Sequence, residues 1–361
     1  MNGHVTPAAG SPDAGPVKKR SRWEAAAALD KEVLEFARAV APDRSEAAIR
    51  EAAFQRVASA CRAAYLPNVQ TFGSRACGLE LWSSDIDIAI LGVLEPAAPS
   101  GGFTEGQKRD VCWYLEALVR ELHERRSVQK TLLIRRARIP IIKVTTVEGV
   151  DVDVSINGAG GMHAAALLGR HMAAFPALRP LALTLKAMLR VAQPAPLHEV
   201  ATGGLGAYSL VNMLVAHLML DAKEGGAPGD WGRLLLGFLE RFGRRFDYDV
   251  QAVAVGRGGI VPKAAVPMAS ARDSTRLCVE DPLTGRDISG GTTRILAVRD
   301  AFAAAASVLR LALQRSDGAP GAPALALLSQ AFDVRAALSP RSPLLAELGA
   351  ARPDQGAAVA R

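Results

Sequence analysis

The run Ser84-Asp-Ile-Asp-Ile-Ala-Ile-Leu91 restricts this chain more than any other stretch. Carboxylates alternate with isoleucines, the period of a strand buried on one face. Residues two apart on a strand share a face, so Asp85 and Asp87 stand side by side. Two neighbouring carboxylates repel each other unless a cation or a proton lies between them. Divalent cations such as Mg²⁺ take oxygen ligands and are commonly shared between carboxylates and substrate phosphates. Ser74, eleven residues before Asp85, follows Gly73. A glycine there reaches turn geometry closed to other residues, so backbone amides and the Ser74 hydroxyl can approach a phosphate. Alone, an Asp-x-Asp also caps a strand or forms surface ion pairs.

A third carboxylate lies in Gly149-Val-Asp-Val-Asp-Val-Ser-Ile-Asn157, again an alternating strand. Asp151 and Asp153 share a face, and spacing alone does not choose between them. Three acidic groups on adjacent strands suit two-metal phosphoryl transfer, in which one cation activates a hydroxyl and the other holds a triphosphate.

The chain of 361 residues has room for two ordinary domains. With 49% hydrophobic and 22% charged residues it has the composition of a globular protein, not a disordered one. A net charge of +7 favours polyanionic partners, or reflects nothing more than a basic composition. Cys61, Cys77, Cys112 and Cys278 are scattered, which gives neither a zinc site nor a disulfide framework. No apolar run reaches membrane-spanning length and the amino terminus lacks a secretory pattern, so a soluble intracellular protein with no membrane partner is expected.

Residues 1–22 are small, polar and punctuated by Pro and Gly, and are expected to be a disordered tail. The tail ends in Lys18-Lys-Arg-Ser-Arg22, which reads as a nuclear localisation signal, a loose RNA contact or a solvated run. Periodicity predicts a helix over 23–40, and Asp43 with Glu46 forms a capping box for a second helix to about Ala64. Strands follow at 68–72 and 85–91, then a loop at 96–102 and a helix over 105–126. Three strands come next, at 128–134, 138–147 and 150–156, and Pro140 inside the second predicts an edge position or a bulge. Helices are predicted at 162–172, 180–191, 208–220, 231–242 and 300–315, with a loose tail after about Leu338.

Gly73-Ser74, Ser84-Asp85-Ile-Asp87 and Val152-Asp153-Val-Ser155 together resemble the signature of the DNA polymerase β-like nucleotidyltransferases. Arg138-Ile-Pro-Ile-Ile-Lys143, Thr202-Gly-Gly-Leu-Gly-Ala-Tyr-Ser209 and Val279-Glu-Asp-Pro282 narrow the resemblance to the noncanonical poly(A) polymerases, the catalytic subunits of TRAMP-type RNA surveillance complexes. The similarity runs from about Leu29 to Leu309. It implies an α+β fold: a nucleotidyltransferase palm over 43–160 and a helical central domain built from 23–42 and 161–337, with a cleft between them. It also implies AMP transfer from ATP to RNA 3′ ends with two Mg²⁺, for which Mn²⁺ substitutes. Implied partners are a zinc-knuckle RNA-binding protein and an exosome-associated helicase, and the implied compartment is the nucleus. Alternatives are a terminal uridylyltransferase, a catalytically silent RNA-binding scaffold and a small-molecule nucleotidyltransferase sharing the palm alone.

By resemblance, Asp85 and Asp87 bind both metals and Asp153 binds the one that activates the primer hydroxyl. Gly73 and Ser74 grip the triphosphate. Lys186 and Arg190, four apart on one helix face, suit phosphate as well as solvent. Lys186 matches the family lysine, whereas the position of Arg190 varies in kind. Tyr208 stacks on the base or sits in the core, and Ser209 caps its helix or meets a phosphate. The segment Glu280–Ser289 looks like the nucleotide-recognition motif, with Asp281, Arg286 and Asp287 near the base edge. Uridylyl-transferring members often carry histidine where Arg286 stands, and this segment has none, which favours ATP. Adenylyl-type members favour asparagines at Arg286 and Asp287, and family members often carry an asparagine for the ribose where Gly160 stands, with Asn157 nearby. Arg135, Arg136 and Arg138 either track RNA phosphates or form a charged turn.

Overall fold

The structure is a computed structural model that describes residues 22–94, 103–137, 139–156, 159–227, 229–267, 276–315 and 325–339. Lys18–Ser21, Arg138, Asn157 and the tail after 339 lie outside these residues.

Helices α1 (Arg22–Val40) and α2 (Arg44–Ala63) open the chain. The capping box is present: Glu46 N donates to Asp43 Oδ1 at 2.9 Å, and Asp43 N donates to Glu46 Oε2 at 2.8 Å. Strand β1 (Val69–Phe72) delivers the chain to a single helical turn, α3 (Gly73–Ala76), and then to β2 (Ile86–Ile90). Helix α4 (Glu105–Glu124) precedes β3 (Val128–Ile134), β4 (Ile141–Thr146) and β5 (Asp151–Ile156). The five strands form one mixed sheet in the order β1-β2-β5-β4-β3, parallel only between β2 and β5.

One face of this sheet is a core. Ile86, Ile88 and Ile90 of β2 and Val152, Val154 and Ile156 of β5 are fully buried beneath Val57 and Cys61 of α2 and Val111, Leu115 and Leu118 of α4. Because side chains alternate, the other face receives the intervening residues. Register sets Phe72, Asp87, Asp153, Lys143 and Leu132 in one row across all five strands. Pro140 corrects the sequence expectation. Strand β4 begins one residue after it, at Ile141, and runs between β5 and β3 as an interior strand. Pro140 therefore lies outside the ladder that it could not donate to. The register shift falls instead on β3, between Val128 and Lys130.

After β5 the chain turns helical: α5 (Ala159–Ala174), α6 (Leu178–Arg190), α7 (Ala207–Lys223) and α8 (Trp231–Glu240). Helix α8 runs into a π-helical turn, Arg241–Arg245. A Cβ on Gly243 in that turn would stand 2.5 Å from Ala303 N, so this crossing of α9 (Ile295–Arg315) has room only for glycine. Helix α9 starts five residues before the expected Asp300. A hairpin of β6 (Gln251–Ala254) and β7 (Gly259–Pro262) was not predicted, because four-residue strands around glycines leave too short an alternation to read. Helices α10 (Leu328–Ala331) and α11 (Val334–Leu338) follow α9. Among the described residues no single helix is long and apolar enough to cross a membrane.

A second core fills this helical body, and it takes in α1 from the start of the chain and Cys77, Leu79 and Leu81 from the segment before β2. Glu32 on α1 accepts from Leu327 N and Leu328 N at 2.9 Å each, and Asp30 accepts from Gly232 N at 2.5 Å. Trp82 Nε1 donates to Ala337 O at 3.1 Å, and Trp82 N donates to Val40 O at 2.8 Å.

His217 of α7 lies inside this body at 3% exposure. Its Nε2 contacts Leu234 O at 3.1 Å, and its Nδ1 accepts from Arg241 Nε at 3.1 Å, which sets the neutral tautomer. Burial, helped by the Arg241 charge, pushes its pKa down to about 4. An unfolded histidine titrates near 6.5. The stabilisation is thus complete above that value and is lost as pH falls towards 4, by roughly 3 kcal/mol. Urea unfolding at pH 7.5 and pH 5 is expected to show a lower midpoint at pH 5. His217→Gln, which keeps a donor and an acceptor without a titrating ring, is expected to narrow that difference.

Candidate active site

The parallel register of β2 and β5 sets Asp87 opposite Asp153, and Asp85, just before β2, is close enough for its charge to act on Asp87. On the far side of β5, Lys143 is the register partner of Asp153, and its Nζ donates to the two carboxylate oxygens at 2.8 and 3.1 Å. Asp151 accepts from Thr145 Oγ1 at 2.7 Å instead. Strand pairing thus separates the two carboxylates that spacing left equivalent.

Burial pushes the Asp87 carboxyl up to about 7, and the charges of Asp85 and Asp153 add to the rise. Asp153 is also raised, by burial first, with Lys143 acting against it and Asp85 and Asp151 with it. Burial works against the Lys143 ammonium most, but the Asp153 bond and the charges of Asp153, Asp85 and Asp151 together outweigh it and its pKa is raised. Two carboxylates displaced upward by burial and by neighbouring acidic charge form a hard-oxygen donor set that favours a divalent cation. Among the described residues no three His, Cys, Asp or Glu side chains are gathered closely enough to hold a metal as they stand. Asp153 has Lys143 for its counter-ion. Asp85, Asp87 and Asp153 fit such a cation in chemistry and in register.

Gly73 sits at φ +64°, and a Cβ there would overlap Asp87 Oδ2. Both the left-handed backbone and the approach to the carboxylate require glycine. Ser74 follows in α3 on the same turn. Gly161 plays a similar part across the row, since a Cβ on it would overlap the Phe72 ring. At Gly160 a Cβ would meet nothing within 4 Å, so packing does not forbid a larger residue there.

Lys186 of α6 reaches the same centre. Its Nζ donates to Leu79 O at 2.6 Å. Burial pushes it down to about 8, and Asp85, Asp87 and Glu80 oppose that fall. One helical turn on, Arg190 lies over the Trp82 ring at 5.1 Å from its centroid, and burial lowers its pKa. Lys186 and Arg190 therefore do share a face, which is turned to the segment before β2.

Arg50 of α2, 3% exposed, was not foreseen. Its guanidinium donates to Glu80 Oε2 at 3.0 and 3.2 Å and to Asp85 O at 3.4 Å, which fixes the entry to β2. An arginine on the stripe that continues through Ala53 and Val57 was the signal available in the sequence.

The segment 276–289 packs beside α7. Tyr208 Oη donates to Asp281 Oδ1 at 3.0 Å, and Ser209 Oγ donates to Ile288 O at 2.9 Å. Helix α7 has Gly206 at its N-cap, so Ser209 ties down the segment and does not cap. Asp281 also accepts from Leu283 N and Thr284 Oγ1, and Asp287 accepts from Ser289 N and Oγ. Both carboxylates close their own loop. Arg286 is exposed, and its carbonyl accepts from Asp281 N at 2.7 Å. Bridge Val253–Val279 joins this segment to the unforeseen β6–β7 hairpin, bridge Glu280–Asp287 closes the segment on itself, and Arg257 Nε donates to buried Glu280 at 2.9 Å.

Residues 29–171 match the family model for the central palm domain of mitochondrial-like poly(A) RNA polymerase, and residues 230–285 match that of the Cid1 family poly A polymerases. The chain is 30% identical to poly(A) RNA polymerase CID14 of Cryptococcus neoformans over 79% of its own length and 36% of the relative's. It is also 30% identical to cid14 of Schizosaccharomyces pombe, over 75% of this chain and 39% of that one. The chain thus spans well under half the length of these relatives. Among solved structures, the polymerase core of TRAMP, an RNA surveillance complex, superposes with a TM-score of 0.68 at 25% identity, covering 86% of this chain and 93% of that one. Two family models, relatives of both yeasts and a shared polymerase core agree with the carboxylate row: the chain belongs to the noncanonical poly(A) polymerases, with their α+β nucleotidyltransferase fold.

Proposed function

We propose that the chain is a template-independent adenylyltransferase that adds AMP from ATP to RNA 3′ ends in RNA surveillance, using two Mg²⁺ for which Mn²⁺ substitutes. The observation that carries this reading is the row Asp87–Asp153 with Asp85 beside it, approached by Gly73 at a left-handed position where any Cβ would overlap Asp87 Oδ2. When bound, the two cations activate the primer hydroxyl and neutralise the departing pyrophosphate. Asp85, Asp87 and Asp153 would hold these cations, whose positive charge would lower the pKa of the primer hydroxyl. The Gly73-Ser74 turn takes the triphosphate, and Lys186 meets its terminal phosphate. Tyr208 offers its ring to the base, with its hydroxyl anchored on Asp281. The segment 280–289 contains no histidine, which supports ATP over UTP. RNA, a zinc-knuckle RNA-binding protein and an exosome-associated helicase are the partners proposed, and the basic run before Arg22 supports a nuclear setting.

Primer extension with a labelled single-stranded RNA and each nucleoside triphosphate in turn tests the reading. A ladder with ATP is expected, falling below about 1% of wild type in Asp85→Ala/Asp87→Ala. A ladder with UTP instead moves the assignment to uridylyl transfer, and extension by the double variant removes the carboxylates from the mechanism.

Metal binding has a separate readout. The folded pKa of Asp87, about 7, lies above the 3.8 of an unburied aspartate, so stability from this group is complete below 3.8 and is lost as pH rises through 7. At pH 8 in EDTA, Asp87→Asn removes that repulsion and is expected to raise Tm by a few degrees. Mg²⁺ or Mn²⁺ is expected to raise the Tm of the wild type and to leave the variant nearly unmoved. An equal response in both proteins would count against Asp87 as a ligand.

A further inference from the structure

A groove of about 680 Å³ opens away from the catalytic row, between the outer face of α4 and the β3–β4 turn. Lys108, Arg109, Trp113 and Glu116 line one side at helical spacing, and Arg135 and Arg136 line the other. Arg135 donates to Glu116, which fixes the turn against the helix. Lys108 is paired with Glu105 at 2.9 Å. No ion pair among the described residues involves Arg109 or Arg136. Four cations against Glu105 and Glu116 leave the groove with an excess of positive charge.

Trp113 is the unusual member. It is 61% exposed, belongs to neither core, and meets Tyr114 edge-on at a centroid separation of 5.0 Å. An indole held by a neighbouring ring, open on a basic surface, has the make-up of a stacking platform for a nucleobase, with arginines placed for the backbone. An acidic protein would meet the charge but would leave the aromatic face without a planar partner.

Helix α4 covers the face of the sheet opposite the carboxylates, so an RNA strand that joins the groove to the chemistry passes round β3, the edge strand. Leu132 of β3 ends the row that contains Asp87 and Asp153, and Arg135 is three residues further along. Three strand spacings and three residues of rise place the turn roughly 17 Å from Asp87. An RNA strand that rounds the β3 edge joins the two, and it needs more nucleotides than this in-sheet span alone.

We propose that this groove is a second binding tract for single-stranded RNA, taking upstream nucleotides of a primer whose 3′ end lies at the catalytic row. Trp113 stacks on a base, and Arg109 and Arg136 meet the flanking phosphates. The tract rests on the RNA-substrate reading above, and its test separates the two.

Trp113→Ala and Arg109→Ser/Arg136→Ser would be compared with wild type by fluorescence anisotropy. The probes are an unstructured RNA of about 20 nucleotides and one of about 4, the span of a single binding platform. Unchanged Tm would establish that the variants fold. Each variant is expected to bind the long RNA at least about fivefold more weakly. Affinity for the short RNA and single-nucleotide addition to it are expected to stay at wild-type level. The double arginine variant is also expected to flatten the salt dependence, by about 0.7 in slope per lost phosphate contact. Undiminished long-RNA binding in both variants, or no binding of long RNA by wild type, overturns the tract. If wild type binds long RNA through Trp113 yet incorporates no nucleotide, the tract stands and the polymerase reading falls.

Discussion

Like charges set side by side on β2 and β5 are the constraint around which the rest of this molecule is arranged. The parallel register that buries Ile86, Ile88, Val152 and Val154 on one face necessarily presents Asp87 and Asp153 to each other on the other. The core thus holds the repulsion in place, because a one-residue slip of either strand would turn isoleucines to solvent and carboxylates to the core. Compensation comes from outside the pair. Lys143 is contributed by the next strand and Lys186 by the helical body, and Gly73 keeps the near side open.

The two lysines differ in kind. Lys143 is half-exposed and bonded directly to Asp153, so water screens much of what it contributes. Lys186 is largely buried and bonded to a backbone carbonyl, so its charge acts on Asp85 and Asp87 through a medium that screens less. The helical body therefore shapes the electrostatics of a site whose acidic groups all belong to the sheet.

Much of this was legible in the residues. Alternation marked β2 and β5, the capping box marked the start of α2, and spacing put Lys186 and Arg190 on one face. What escaped depended on partners distant in sequence. The contacts of Arg50 with Glu80 and Asp85, and the pinning of segment 276–289 by Tyr208 and Ser209, are pairings that no local period records. Pro140 misled because a strand boundary moved by a few residues changes a proline from an interruption into a start. The choice between Asp151 and Asp153 needed the register of β4, which only the folded sheet supplies.

The place of α1 bears on how such a chain is made. Its Glu32 is satisfied by amides 295 and 296 residues later, and its apolar face belongs to a core completed by α8 and α9. On the ribosome, where domains form as they emerge, the sheet with α2 and α4 has all its parts once β5 is out. Helix α1, which precedes these elements, leaves Leu29, Val33 and Phe36 incompletely covered until α6, and then α8 and α9, have emerged. Until then its apolar stripe is open to chaperones and to misassociation, although it was made before the sheet that folds ahead of it.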